Sequence, residues 1–146
     1  MANECVFCKI VSGELPSTKI YEDETVLVFL DINPVEEGHA LVIPKEHMDP
    51  ITNAPDNILK ELIVVAKKIA SAQFTGLNAV GVNIAQANGR GAGQEVPHVH
   101  FHVIPRYSSD PKEANWKTRK YKSVEQMNKI AELIKEALKN GFNKNR

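Results

Sequence analysis

The chain has little cysteine, few aromatic residues and no surplus of either charge. Only two cysteines occur in 146 residues, Cys5 and Cys8, so no disulfide framework can stand in for a hydrophobic core. A chain of this length needs none, and it is expected to bury its apolar surface as one domain. Acidic and basic residues balance at 18 each. That balance argues against a long nucleic acid as ligand and against a polyanion such as duplex DNA, but it leaves room for a small phosphorylated molecule. No apolar run approaches the roughly 20 residues of a membrane helix. Met1-Ala2-Asn3-Glu4-Cys5 lacks the basic start and apolar run of a secretory signal. These absences predict a cytoplasmic protein with no membrane partner. Internal repeats and low-complexity segments are also missing.

Histidine is scarce too, five in all, yet three fall in one stretch, Pro97-His98-Val99-His100-Phe101-His102-Val103-Ile104-Pro105. Alternation with apolar residues is the period of a half-buried strand. It puts His98, His100 and His102 on one face, about 7 Å apart in a row, and Val99, Phe101 and Val103 on the other. A packed face gives little reason to repeat a ring whose donor and acceptor both need partners. Metal ligation, proton transfer and nucleophilic attack are the chemistries that imidazole performs near neutral pH.

Around this stretch, Lys19–Tyr21, Val26–Leu30 and Ala40–Pro44 read as strands joined by short turns, an antiparallel meander. From about Asp56 to Phe74, apolar residues recur at three- and four-residue steps. This predicts an amphipathic helix with Asn53 or Asp56 as N-cap and Gly76 as its stop. Its Val64-Val65 pair broadens the apolar face. Ala79 to Ala85 reads as a further strand, and Asn88-Gly89-Arg90-Gly91-Ala92-Gly93-Gln94 as a loop whose backbone can approach a ligand. Tyr107 to Lys122 reads as a solvated irregular segment holding Trp116 and several cations. A last helix begins at Ser123, with Gln126 in the capping-box position, and ends at Gly141 before a frayed tail. Cys5 and Cys8 alone fit a redox pair, half of a zinc site or two buried thiols. The redox reading lacks the strand that should precede the pair.

The alternating segment resembles the signature of the histidine triad (HIT) family. Cys5-Val6-Phe7-Cys8-Lys9-Ile10, Phe29-Leu30-Asp31-Ile32-Asn33-Pro34, Gly38-His39-Ala40-Leu41-Val42-Ile43-Pro44-Lys45-Glu46-His47 and Ala92-Gly93-Gln94 are similar to family segments in the same order. The likeness is to the Hint-like branch with an N-terminal cysteine pair. It implies an α+β, HIT-like fold, a five-stranded antiparallel sheet with one long helix and a C-terminal helix, paired as a homodimer. Residues 1–146 would form one HIT domain, with the core at about 5–107 and a helical extension at about 108–146.

The likeness also implies a nucleotide-binding hydrolase or transferase acting at the α-phosphate of adenosine nucleotide derivatives, most simply a phosphoramidase. His100 would be the nucleophile and His102 its partner beside the phosphate. Asp31 would take the ribose hydroxyls, Phe29, Leu30 and Ile32 would wall the base, and backbone N–H groups at Gly93 and Gln94 would meet phosphate oxygens. Asn83 and Asn88 stand near the loop. Cys5, Cys8, His47 and His98 would hold a structural zinc, and His39 is left without a catalytic role. Many relatives carry serine or threonine where this chain has Glu95. The alternatives are a dinucleoside polyphosphate hydrolase, a non-catalytic nucleotide-sensing or scaffold dimer, and a catalytic metal held by the three strand histidines.

Overall fold

The computed structural model describes residues 4–108 and 115–144, with side chains as far as 141. The sequence readings at Met1–Asn3, in 109–114 and at 145–146 lie outside the described residues. The elements are α1 (Val6–Val11), β1 (Lys19–Glu22), β2 (Val26–Leu30), β3 (Ala40–Pro44), α2 (Asp56–Gly76), β4 (Gly81–Gln86), β5 (Phe101–Arg106) and α3 (Val124–Lys144). The strands form one five-stranded antiparallel sheet in the order β1-β2-β3-β5-β4. This is the mixed α and β architecture expected, meander included.

Alternation along the strands sends side chains to two separate cores. Val26, Val28, Leu30, Ala40, Val42 and Val103 pack with Leu62, Ala66 and Ile69 of α2 and Ile130 and Ile134 of α3. On the opposite face, Leu27, Phe29, Leu41 and Ile43 pack with Cys5, Phe7 and Ile10. The histidines lie on this second, thinner side, where among the described helices the short α1 packs. Gln73, fully buried on α2, donates through Nε2 to the Gly38 and Val103 carbonyls (3.1 and 2.9 Å), fixing the start of β3 against β5.

Several expectations need correction. The N-cap of α2 is Pro55, with no side-chain cap, rather than Asn53 or Asp56. Proline fits the start of a helix because its missing N–H would have no partner there. Gly76 does not stop the helix either. Leu77 is the C-cap and Asn78, at φ 58°, makes the turn. Gly76 instead lets two helices touch, since a Cβ there would lie 2.8 Å from both the Ala137 Cβ and the Leu133 carbonyl oxygen of α3. Likewise α3 runs past Gly141 to Lys144. Half of the capping box forms, with the Gln126 N–H on Ser123 Oγ at 3.0 Å, while Gln126 Oε1 accepts the Lys122 N–H at 2.8 Å rather than that of Ser123. Val65 is buried, whereas Val64 and Ile63 stay exposed beside it.

The strand at the histidines is shorter than the alternation predicts, beginning only at Phe101. The cause is Pro44. The ladder pairs Val42 with Phe101, so two residues further Pro44 would face Val99, and proline has no N–H to donate. The Val99 N–H turns instead to the Met48 carbonyl at 2.8 Å. A regular ladder of three imidazoles therefore gives way to two groups.

Candidate functional site

The first group is a compact cluster. Cys5 caps α1 and accepts the Cys8 N–H on its sulfur, so this single turn turns both thiols to the same side. Cys5 Sγ lies 3.3 Å from His98 Nδ1, and Cys8 Sγ lies 3.4 Å from His47 Nδ1 and 3.6 Å from His98 Nδ1. All four ligand atoms fall within 4.8 Å of one another. His98 is fully buried, and its Nε2 stands 2.8 Å from the Pro44 carbonyl. That carbonyl accepts a proton-bearing nitrogen, so Nδ1 keeps its lone pair for the cluster. Two sulfurs and two imidazoles around tetrahedral zinc place S and N about 3.6 Å apart, given bonds of about 2.3 and 2.0–2.1 Å. The residues therefore fit that ion. Burial and the neighbouring Cys5 thiol push Cys8 up to about 11, so a metal taken up here must displace thiol protons.

The second group is a chain of rings. His100 is buried, and its Nδ1 lies 2.7 Å from the His98 carbonyl. Nδ1 must carry the proton, which leaves the Nε2 lone pair open. The His100 and His102 rings stand 4.9 Å apart between centroids. His102 Nδ1 lies 3.0 Å from His39 Nε2, and His39 Nδ1 accepts the Val35 N–H at 3.0 Å. That backbone donor fixes the whole relay. His39 must carry its proton on Nε2 and donate it to His102 Nδ1, so His102 carries its own proton on Nε2. One ring thus offers a lone pair and its neighbour a proton.

The charge states agree. Burial lowers the His100 imidazole below its ordinary value, against the opposing pull of the His98 carbonyl and the Asp49 carboxylate. Burial, with His100 beside it, brings His102 to about 4. Burial, His102, Arg106 and His100 together bring His39 to about 3. All three rings are neutral at pH 7.

His39 is the residue that sequence reasoning passed over. The signal was its place immediately before β3, the strand that pairs with the one carrying His102. Asp31 follows β2 directly, and its Oδ2 lies 3.8 Å from His39 Nε2. Its Oδ1 accepts the Asn33 N–H at 2.9 Å. Burial raises the Asp31 carboxyl, the Asn33 N–H opposes that, and the Glu95 charge adds to it. Asp31, His39 and His102 bring ligand atoms close enough for a metal. The Val35 N–H argues against one, because a His39 ring accepting at Nδ1 has its proton, not a lone pair, on Nε2. A catalytic metal on all three strand histidines is excluded by geometry too, since His98 belongs to the cysteine cluster.

Other expected site residues are placed differently. Phe29 is a core residue, its ring 5.5 Å from Phe7, and Leu30 points to the opposite core. Ile32 is exposed and free to meet a ligand. The N–H groups of Gly93 and Gln94 donate to the Arg90 and Gly89 carbonyls within the loop (2.9 and 3.2 Å), so they do not face outward. Gln94 is a brace: Oε1 accepts the Gly89 N–H, and Nε2 donates to Asp49 Oδ1 at 2.7 Å. Asn88 ties the same loop to Ile51 through Oδ1 at 2.8 Å. Asn83 Oδ1 accepts from Arg106 Nε at 2.7 Å, and the Arg106 guanidinium lies 5.2 Å from the Trp116 ring. Arg119, expected among solvated cations, pairs with buried Glu36 at 3.2 Å.

Comparisons with known proteins agree with this geometry. The HIT domain matches residues 12–109. A HIT-like protein of Borreliella burgdorferi is 52% identical over 109 residues, 73% of this chain and 78% of that protein. Adenosine 5'-monophosphoramidase HNT1 of Candida albicans is 44% identical over 106 residues, 70% of each. Among solved structures, a Zn-bound histidine triad family protein from Mycobacterium smegmatis superposes with a TM-score of 0.88 at 38% identity, covering 98% of this chain and 99% of that one. With its two ring groups set on a five-stranded antiparallel sheet, the chain belongs to the HIT-domain family.

Proposed function

We propose that the protein is a nucleotide hydrolase or transferase that works through a covalent nucleotidyl-histidine on His100, with adenosine 5′-phosphoramidates as its substrate class. The observation that carries this reading is a pair of fixed tautomers: the His98 carbonyl leaves a lone pair on His100 Nε2, and the relay from Val35 leaves a proton on His102 Nε2, with the two ring centroids 4.9 Å apart. In the first step His100 Nε2 attacks the α-phosphorus, and the P–N bond to the leaving amine breaks. The departing nitrogen takes the proton that His102 holds on Nε2. Water then attacks the phosphorus, gives one proton back to His102 Nε2 as the P–Nε2 bond breaks, and leaves its oxygen on the released AMP. The His98 carbonyl accepts from His100 Nδ1 throughout and stabilises the ring as it gains positive character.

A polyphosphate hydrolase would use the same steps with a phosphate oxygen leaving. An amine leaving group needs the proton more, and the neutral, proton-bearing His102 supplies it. A relative bearing the name adenosine 5'-monophosphoramidase favours the same substrate class. Asp31 takes the ribose hydroxyls and Ile32 borders the base, while Phe29, Asn83, Asn88, Gly93 and Gln94 shape the walls and the loop. A non-catalytic nucleotide sensor would not need the relay.

Cys5, Cys8, His47 and His98 hold a structural zinc in this reading. The ion supplies cross-linking alone, since four protein ligands leave no open position for chemistry. Two cysteines held as metal ligands suit a reducing compartment such as the cytoplasm. The working unit is a homodimer built on the exposed side of α2, where Ile63, Val64 and Phe74 lie, and on the outer edge of β4. Residues 1–146 act as one HIT domain, about 5–107 carrying the site and about 108–146 the extension. Mixing enzyme with an adenosine 5′-phosphoramidate tests the chemistry. AMP release abolished in His100→Ala supports it, and AMP release retained in that variant contradicts it.

A further inference from the structure

The nucleophile has a neighbour that the reaction does not explain. Phe7 lies on α1 between the two cysteines, and its ring stands edge-on to His100, 5.1 Å between centroids at 87°. The same ring meets His98 at 5.7 Å and 71°, and Phe29 at 5.5 Å and 75°. These separations fall within the range that aromatic pairs prefer. Phe7 is itself buried. A single hydrogen bond, from Nδ1 to the His98 carbonyl, anchors one point of the His100 ring but leaves its plane free to swing about that point. Two rings limit this freedom: His102, 4.9 Å away at 67°, and Phe7, 5.1 Å away at 87°.

Resting on the reading of His100 as nucleophile, we propose that Phe7 is a positioning residue that fixes the plane of the His100 imidazole and so aims Nε2 at the phosphorus. Its own position is set from both ends. Cys5 and Cys8 tie its backbone to His98 and His47, and Phe29 backs its ring. The metal cluster and the nucleophile are therefore linked through one aromatic side chain. A leucine at this place would keep the site dry and the core filled, but its branched end cannot make the perpendicular ring-to-ring contact. The reacting nitrogen would then spend much of its time off line, which costs the chemical step rather than substrate binding.

The test is a rapid-quench measurement of adenylyl adduct formation on metal-loaded wild type and Phe7→Leu, with metal content and AMP affinity measured alongside. The expected result is an adduct rate at saturating substrate about tenfold lower in Phe7→Leu, with AMP affinity and metal content unchanged. A wild-type rate in Phe7→Leu, or a loss seen only as a raised KM, overturns the proposal. No adduct on the wild type overturns the nucleophile reading, and the role of Phe7 falls with it. Should Phe7→Leu fail to fold, Phe7→Met is read in the same way. In the wild type, NMR should show a cross-relaxation contact between the Phe7 and His100 ring protons, and its absence also overturns the proposal.

Discussion

Replacing His39 by phenylalanine keeps a ring of similar size but removes the donor that holds His102 in its Nε2–H tautomer. The expected result is a kcat lower by about ten- to a hundredfold, with little change in KM, as for other partners that orient a functional imidazole. Steady-state kinetics decide it, and an unchanged kcat contradicts the relay. The same rings set a pH dependence. His39 and His102 titrate at about 3 and about 4 when folded, against about 6.5 unfolded. Below pH 6.5 the unfolded chain therefore binds the additional protons. Stability is complete above that pH and falls as pH drops towards 4 and then 3, by at most about 1.4 kcal/mol per pH unit for each ring. Thermal melts from pH 7.5 to 4.5 check the sign, and His39→Phe should flatten the slope. At this scale the sequence pointed to the three alternating histidines because their spacing is local. It concealed His39, whose role depends on a cross-strand partner and on one backbone N–H from the turn at Val35.

Among the elements, the crossing of α2 over α3 gives a clear contest of effects. Alanine at Gly76 gains up to about 1 kcal/mol of helix propensity. It also drives a Cβ to 2.8 Å from a backbone carbonyl oxygen, which cannot swing aside as a side chain can. Overpacking of this kind costs about 1–3 kcal/mol, so Gly76→Ala is expected to lower the melting temperature by a few degrees. A raised melting temperature would mean that the crossing yields. The periodicity of α2 and the meander of β1 to β3 were legible because apolar spacing alone determines them. The early end of the β5 ladder was not, since it depends on Pro44 arriving opposite Val99, a matter of register. Gly76 was misread for a similar reason, because a glycine that stops a helix and one that admits a neighbouring helix look alike in sequence.

For the whole molecule, the cysteine–histidine cluster ties the N-terminal turn to the segment that carries the nucleophile. Stripping metal with a chelator at neutral pH should first lower the melting temperature, with loss of turnover following as α1 detaches. Loss of turnover at an unchanged melting temperature would instead assign the metal to chemistry. The cysteine pair suggested half of such a site, but the full set of four was legible only through family likeness, since its members lie up to 93 residues apart and no local pattern joins them. The central claim is covalent catalysis on His100. Intact-protein mass spectrometry after a short acid quench, with an adenosine 5′-phosphoramidate as substrate, tests it most directly. The expected result is an adenylyl adduct on the wild type and none on His100→Ala. AMP release by the wild type with no adduct at any quench time, or an adduct of equal yield on His100→Ala, would contradict it.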